Sequence, residues 1–172
     1  CNHVSYVDPL VIGGFIRRPV RFVMYYKIFQ IPVLRWLFQT AGAIPIASSK
    51  EDPQMLEQAY ASIDRMLERG EVVCIFPEGQ ITRTGELNPF RPGLEKVLKR
   101  RPVPVVPMSL TGLWGTFFSR AGGGAMRRLP KPLWHRVILR IGDVMPPEQV
   151  TRTGLQSIVN ELASGSDSSA SP

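Results

Sequence analysis

The 172-residue sequence predicts an α/β fold with a mainly parallel sheet flanked by helices. Strand-like runs alternate with helical patterns, and two of those runs are continuously apolar, as in strands that a sheet buries on both faces. Glycine and proline separate the elements. The length fits one domain with its own core, which we place at residues 1–163, followed by a flexible tail at 164–172.

The first helix is predicted from Pro9 to about Ile16. Asp8 precedes it, and Asp followed by Pro suits a helix start, because Asp can cap a helix and proline is tolerated in the first turn. Residues 19–26 are rich in β-branched and aromatic side chains, which predicts a strand, and residues 42–46 predict a second, short strand.

Residues 27–40, between these two strands, are too apolar for an ordinary surface helix, since their only charged members are Lys27 and Arg35. Two interpretations fit the segment. It forms a pair of buried helices, or it lies in a membrane interface with Trp and Arg as anchors.

The second half of the chain begins with its clearest helix. That helix starts at Asp52, carries apolar residues at three- and four-residue spacing, and ends at Gly70. The two continuously apolar runs, predicted as strands, follow at residues 72–76 and 103–110. The remaining predicted elements are a short basic helix at 92–100, a strand at 132–144 and a final helix at 147–163.

The formal net charge of +7 is concentrated in residues 1–50 and 101–150. A basic surface suits anionic lipid headgroups, phosphorylated substrates, an acidic carrier protein or nucleic acid. The sequence has no helix-turn-helix, zinc or aromatic nucleic-acid signature, so we expect no nucleic-acid partner. Two His and two Cys, with no cluster, predict neither a metal site nor a disulfide framework, and the thiols favour a reducing compartment.

Two expectations concern the chain's setting. No apolar stretch reaches the length of a membrane-spanning helix, so membrane contact is expected at the surface unless flanking segments span. The first residue is Cys1, with no leader before it, which predicts an excised piece of a longer protein that has lost a preceding strand.

The first candidate for chemistry is the pair His3 and Asp8. If the loop before the first helix folds back, the Asp8 carboxylate can accept the Nδ1–H of His3, which leaves Nε2 as a base and stabilises the imidazolium that forms. The alternative is a structural His that a nearby cap residue satisfies.

The second candidate is the loop after the 72–76 run, where the sequence is Pro77-Glu78-Gly79, with Arg83 four residues later. Glycine allows a ligand to approach the backbone closely, Glu78 offers an acceptor, and Arg83 offers a phosphate-binding fork. An ordinary exit from a strand into a loop is the alternative.

Taken in order, these segments resemble the glycerophospholipid acyltransferase superfamily. The family's Asn-His-x4-Asp block matches Asn2, His3 and Asp8, its Phe-Pro-Glu-Gly block matches residues 76–79, and its apolar strand containing Val-Pro matches residues 105–110. Residues 79–85 and 112–120 look most like the acyltransferase module of the bacterial 2-acylglycerophosphoethanolamine acyltransferase type, which often sits in a polypeptide with a synthetase or a transporter.

The resemblance implies transfer of a fatty acyl group from an acyl-carrier-protein or coenzyme A thioester to the hydroxyl of a lysophospholipid, without a cofactor. His3 is then the base and Asp8 its orienting partner. The implied acceptor site consists of Asn2, Ser5, Pro77, Glu78, Gly79 and Arg83. The implied setting is the cytoplasmic side of the cell membrane, as a peripheral protein or as part of a larger membrane protein.

Two positions depart from the family pattern. Ala47 stands where the family's second block commonly has Arg, and Ile81 stands where the third block usually has Arg. The contacts to an acceptor phosphate are therefore the part of the resemblance that the residues support least. An acceptor with a headgroup larger than bare phosphate is consistent with both losses.

Two alternative functions stay open. One is a catalytically silent basic module that binds a membrane, and the other is a thioesterase or lipase in which the same His and Asp activate water. Neither a Gly-x-Ser-x-Gly elbow nor an exposed cysteine is expected to supply a covalent nucleophile.

Overall fold

The computed structural model describes residues 1–116, 119, 120 and 136–165, without the side chains of residues 33 and 34. The first part of the strand predicted at 132–144, residues 132–135, and the part of the predicted tail from 166 onward lie outside the described residues. In order, the elements are α1 (Asp8–Phe15), β1 (Val20–Tyr25), the 3₁₀ helix η1 (Tyr26–Gln30), α2 (Pro32–Thr40), β2 (Ile44–Ile46), α3 (Pro53–Glu68), β3 (Val72–Cys74), α4 (Gly93–Arg100), β4 (Met108–Thr111), β5 (Ile138–Ile141), the 3₁₀ helix η2 (Pro147–Gln149) and α5 (Arg152–Ser164).

A parallel three-stranded sheet forms the centre of the fold, in the order β2-β1-β3. Strand β1 pairs in parallel with both neighbours, with Val23 opposite Ile44 and Phe22 opposite Cys74. Strands β4 and β5 form a separate antiparallel pair. The predicted α/β fold with a mainly parallel sheet is therefore confirmed, with one antiparallel pair near the end of the chain.

Helices cover the two sides of the central sheet in separate groups. Phe22 of β1 packs in one core cluster with Ile12 of α1 and Phe38 of α2. Its neighbour Val23 points to the opposite side and packs with Ile63 of α3, because successive side chains of a strand alternate between faces. We call these the α1/α2 side and the α3/α4 side.

The helix at 53–68 forms as its pattern predicts. The Asp52 carboxylate caps it by accepting a hydrogen bond from the Met55 N–H at 2.8 Å, and Ala59, Tyr60 and Ile63 are buried along one face. Helix α5 begins later than predicted, because Pro147–Gln149 form a 3₁₀ turn before Thr151 caps the helix.

Three expectations about local structure are wrong. Asp8 does not cap α1: it is the first residue of the helix, and its carboxylate turns back toward the preceding loop. Strand β4 begins at Met108, and Val106 before it is exposed. Residues Val72 and Val73 of β3 are only half-buried, because β3 is the last strand on its edge of the three-stranded sheet.

The interpretation of residues 27–40 as a pair of buried helices is also wrong. The 3₁₀ helix η1 has no buried residue, and in α2 Phe38 is the one buried side chain among those described. Trp36 and Leu37 point outward. In the described part of the chain, no helix has both the length and the apolar character needed to cross a membrane.

Candidate active site

His3 and Asp8 form a hydrogen-bonded pair at the start of α1. The Nδ1–H of His3 donates to Asp8 Oδ2 at 2.8 Å, and the same oxygen accepts the backbone N–H groups of Val4 at 2.7 Å and Ser5 at 3.0 Å. Three donors on one buried carboxylate oxygen stabilise its negative charge. Because Asp8 holds Nδ1 as the donor, Nε2 of the neutral ring is the acceptor.

The short loop before α1 creates this geometry. The backbone N–H of Asp8 donates to Ser5 O at 3.3 Å, which closes a turn over residues 5–8 and aims the preceding amides at the carboxylate. Asp8 also lies in the first turn of α1, where the helix dipole favours an acidic group. The chain therefore holds the carboxylate in place by backbone contacts and uses it to orient His3.

The imidazole of His3 is also held against the core. Its ring stacks on Phe76, with the centroids 4.2 Å apart and an interplanar angle of 17°. Phe76 is buried at the end of β3, in the core cluster on the α1/α2 side. The side chain of His3 keeps 18% exposure, so part of the ring reaches solvent.

Glu78 ties the His3 loop to a second segment. It is 1% exposed. Its Oε1 accepts the His3 N–H at 2.7 Å, and its Oε2 accepts both the backbone N–H and the side-chain Nδ2–H of Asn88 at 2.8 Å. Burial raises the pKa of the Glu78 carboxyl, although the hydrogen bonds from Asn88 and His3 oppose that shift. Both oxygens accept hydrogen bonds from the protein, which suits a positioning residue better than a direct contact to an acceptor.

Asn2 acts as a clip between the His3 loop and β4. Its Nδ2–H donates to Leu110 O at 2.9 Å, and its Oδ1 accepts the Leu110 N–H at 2.7 Å. The backbone N–H of Thr82, in the same loop as Glu78, donates to His3 O at 2.9 Å. Asn2 is buried, and the oxygen and the nitrogen of its side-chain amide both bond to the Leu110 backbone.

The remaining predicted acceptor residues divide into two groups. Ser5 is fully buried and Pro77 is buried as well. Gly79 and Arg83 are exposed. Gly79 and Arg83 are therefore the exposed members of the predicted acceptor set.

Arg91 is a further cation at the site, and no sequence motif indicated it. Its backbone N–H donates to Pro77 O at 2.8 Å. Gly79 has φ +67°, and a Cβ there would lie 3.0 Å from both Cδ and Nε of Arg91, so the Arg91 side chain lies across the Gly79 turn. Arg91 is exposed and has no ion pair with a described residue. Its only sequence signal was a basic residue before the proline that precedes α4, and no spacing rule links that position to Gly79.

A cleft of about 790 Å³ opens behind the His3 loop. Residues 85–87, Trp114 and the polar side of α5 line it, and Asn2 and Glu78 reach it from the loop. His3 is not among its lining residues, so the cleft is adjacent to His3 and does not contain it.

Other reactive groups are placed away from solvent or apart from one another. The Cys74 thiol is buried, and that burial raises its pKa, so it is a poor nucleophile. Within the described ranges, no three His, Cys, Asp or Glu side chains come close enough to hold a metal ion.

Comparison with known proteins shows to which family the chain belongs. The model of the Acyltransferase family matches residues 1–111, which include the His3 loop and the Gly79 turn. The chain belongs to this family. The resemblance to the glycerophospholipid acyltransferase superfamily is thereby confirmed, while membership of the 2-acylglycerophosphoethanolamine acyltransferase subgroup stays a prediction.

Three relatives show the range within the family. The chain is 30% identical over 111 residues to the chloroplastic 1-acyl-sn-glycerol-3-phosphate acyltransferase BAT2 of Brassica napus, covering 64% of this chain and 31% of that protein. It is 29% identical over 110 residues to the lyso-ornithine lipid O-acyltransferase of Pseudomonas aeruginosa, covering 64% and 41%. It is 26% identical over 113 residues to the 1-acyl-sn-glycerol-3-phosphate acyltransferase of Bacillus subtilis, covering 65% and 54%. These matches therefore cover about a third to a half of the relatives' length.

The fold has a counterpart among solved structures. The crystal structure of the 1-acyl-sn-glycerophosphate acyltransferase PlsC from Thermotoga maritima superposes with a TM-score of 0.67, covering 99% of this chain and 66% of that one. The sequence identity is 19%, so this similarity supports the fold alone.

Proposed function

We propose that the chain is an O-acyltransferase domain that moves a fatty acyl group from a thioester to the free hydroxyl of a lysophospholipid. The observation that carries the proposal is the His3–Asp8 pair, in which Nδ1 is fixed and Nε2 is left as the acceptor. Membership of the Acyltransferase family supports the reaction class.

In the proposed reaction, Nε2 of His3 takes the proton of the acceptor hydroxyl as its oxygen bonds to the thioester carbonyl carbon. The tetrahedral intermediate collapses with cleavage of the carbon–sulfur bond, and the imidazolium returns the proton to the departing thiolate. Asp8 stabilises the imidazolium between these steps. The thioester is already activated, so direct transfer needs no acyl-enzyme intermediate. Ser5 and Cys74 are buried, which makes both poorly placed to act as nucleophiles.

The exposed guanidinium groups of Arg83 and Arg91 are proposed to bind the acceptor phosphate. Arg91 crosses the Gly79 turn, and Arg83 follows Thr82, whose backbone is bonded to His3 O. Arginine presents a planar fork that matches phosphate oxygens. The family usually has Arg at the position of Ile81, and the buried Ile81 has no charge with which to bind phosphate. Arg91, which lies across the Gly79 turn, is proposed to supply that positive charge instead.

The proposed partners are the lysophospholipid, a membrane surface and an acyl thioester, carried either by coenzyme A or by acyl carrier protein. The acceptor headgroup is proposed to be larger than bare phosphate, as in a lysophosphatidylethanolamine. The proposed location is the cytoplasmic side of the cell membrane, where the free Cys1 and Cys74 persist as thiols.

The test is transfer of labelled acyl groups from each thioester to a panel of lysophospholipids, using the wild-type protein and its His3→Ala and Asp8→Asn variants. Loss of a general base is expected to lower kcat by about 10²- to 10⁴-fold. Thermal unfolding of each variant shows whether the fold is intact. Full transfer by His3→Ala would show that the assigned mechanism is wrong.

Two other results would favour the rival functions. Release of free fatty acid at the same rate with and without acceptor would favour a thioesterase. Membrane binding without transfer to any acceptor, unaffected by His3→Ala, would favour a silent binding module.

The acceptor site has its own matched test. Arg91→Ala and Arg83→Ala are expected to raise KM for the phospholipid acceptor with a smaller change in kcat, because phosphate binding precedes the chemical step. Arg65→Ala, at an exposed position on α3, is the control. An unchanged KM in both test variants would exclude these two residues as the phosphate contacts.

A further inference from the structure

We propose that the outer side of α1 and α2 is a docking face for an anionic phospholipid bilayer. We define the docking face by the exposed apolar side chains of Leu10, Phe15, Ile31, Trp36 and Leu37. The inference deepens the proposed function, because a lipid acceptor resides in such a bilayer. The three observations that define the docking face, given next, do not involve His3 or Asp8.

The first observation is the degree of exposure. Trp36 is 70% exposed and Phe15 is 63% exposed. Leu10 and Ile31 are each more than half exposed. Single exposed apolar residues are common on soluble proteins, but several large exposed ones on two helices that cover the same side of a sheet indicate an interaction site.

The second observation is that α1 and α2 face the same direction. Ile12 of α1 and Phe38 of α2 pack in one core cluster under the sheet, and the Phe38 ring lies 6.1 Å from that of Phe29 in η1. Both helices therefore cover the α1/α2 side. Their residues that point away from this core therefore face outward on the same side of the sheet.

The third observation is the charge of this region, which selects the occupant. Residues 9–50 contain no Asp or Glu and six Lys or Arg. Arg17, just after α1, and Arg35, on α2, are exposed and have no carboxylate partner among the described residues. Two other cations of this segment are paired, Arg21 with Glu71 and Lys27 with Glu51.

Apolar side chains with unpaired cations beside them suit a bilayer that carries anionic headgroups. Tryptophan rings favour the level of the lipid headgroups, which is where Trp36 would lie on such a bilayer. A second copy of the chain would bring the same positive charge against itself, so the charge pattern favours lipid over self-association.

The docking face also lies on the side of the sheet that carries the base. Asp8 is the first residue of α1, and the His3 ring stacks on Phe76, which packs in the same core cluster as Ile12 and Phe38. A bilayer against α1 and α2 would therefore meet the protein on the side where the proposed base lies. An acceptor would have only a short path from the membrane to His3.

The test is sedimentation of the 172-residue chain with phosphatidylcholine vesicles, with or without one part in four of phosphatidylglycerol. The test variant is Phe15→Ala with Trp36→Ala, and the control is Ile141→Ala with Val144→Ala. The control residues are 57% and 64% exposed and lie in and just after β5, outside α1 and α2. Since all four residues are exposed, the unfolding curves are expected to coincide.

We expect the chain to bind the anionic vesicles more tightly than the neutral ones. Each aromatic truncation is expected to weaken partitioning by about tenfold, given the free energy of burying a large apolar side chain. Arg35→Gln is expected to weaken binding to anionic vesicles by about fivefold and to leave binding to neutral vesicles unchanged. The control variant is expected to bind like the wild type.

Three results would overturn the inference. One is equal binding by the wild type and the Phe15/Trp36 variant, and another is an equal loss in the control variant. The third is a lipid-free dimer that Trp36→Ala dissociates, which would make the face a contact between two copies. His3→Ala is expected to bind vesicles normally, so failure of the proposed acyl transfer and failure of membrane docking give different results.

Discussion

The Asn2 clip gives the sharpest test of how this site is held together. In Asn2→Ala, the N–H and the C=O of Leu110 lose their partners while they remain buried, because Leu110 is fully buried in β4. An unsatisfied buried polar group costs about 1–3 kcal/mol, so the two groups together predict a loss of about 2–6 kcal/mol in the free energy of unfolding. A whole domain is stable by only about 5–15 kcal/mol, so the effect is large.

The variant Asn2→Asp tests whether Asn2 must both donate and accept a hydrogen bond. The carboxylate keeps an acceptor for the Leu110 N–H but places a second oxygen against Leu110 O, where the amide donated. It also buries a charge. We therefore expect Asn2→Asp to be at least as destabilising as Asn2→Ala, although Asp is closer in size to Asn.

Urea unfolding and steady-state kinetics together separate a clip from a contact to the acceptor. A clip predicts lower stability and lower kcat, with the KM for the lysophospholipid nearly unchanged, because Asn2 positions the neighbouring His3. Wild-type stability in Asn2→Asp, or a higher KM with unchanged stability and kcat, would refute the clip and restore Asn2 to the acceptor site.

Three further predictions concern residues around the same loops. Gly79→Ala is expected to cost about 1–2 kcal/mol in the free energy of unfolding, since φ is +67° and the new Cβ would meet Arg91, and to raise KM for the acceptor; unchanged denaturant midpoints would contradict this. Burial raises the pKa of Glu78 in the folded state, so ionisation of Glu78 is expected to lower the free energy of unfolding as the pH rises from its unfolded-state pKa through its folded-state pKa. The variant Glu78→Gln should remove this part of the pH dependence of the free energy of unfolding. The same pH dependence in both proteins would contradict the prediction. Asp52→Ala is expected to destabilise the chain by about 1 kcal/mol through loss of the α3 cap, with kcat and KM unchanged in the assay that detects the other variants.

The sequence predicted the parts of the fold that depend on local pattern. Helix α3 has a cap, a spacing of apolar residues and a terminating glycine, all within 19 residues counted from Asp52 to Gly70, and it forms where expected. Strand β1 forms at the predicted segment because its β-branched and aromatic side chains pack on both faces. The prediction for residues 27–40 was less successful, because composition shows how apolar a helix is but not which of its sides the rest of the fold covers.

The site was predicted to the extent that motifs identify it. The spacing of His3 and Asp8 predicted a hydrogen bond, and the structure contains it at 2.8 Å. The direction in which Glu78 and Asn2 point could not be predicted, since it depends on partners 10 and 108 residues away in sequence. Arg91 was missed for the same reason: a single backbone hydrogen bond to Pro77 brings it to Gly79.

These contacts divide the site into a fixed part and an open part. Hydrogen bonds to two separate segments of the chain hold the His3 loop: Asn2 bonds to β4, and Glu78 and the Thr82 backbone bond from the loop after β3. Asp8 fixes the ring within the His3 loop. If His3 is the base, as proposed, these contacts set its geometry before the substrate arrives, which favours proton transfer within one turnover. The exposed side chains of Arg83 and Arg91 have no ion-pair partner among the described residues, which would allow them to follow a headgroup that enters from a fluid bilayer. The acid-free segment at 9–50, which carries α1 and α2, is the part of the chain that we propose meets the lipid, and it begins directly after the loop that holds His3.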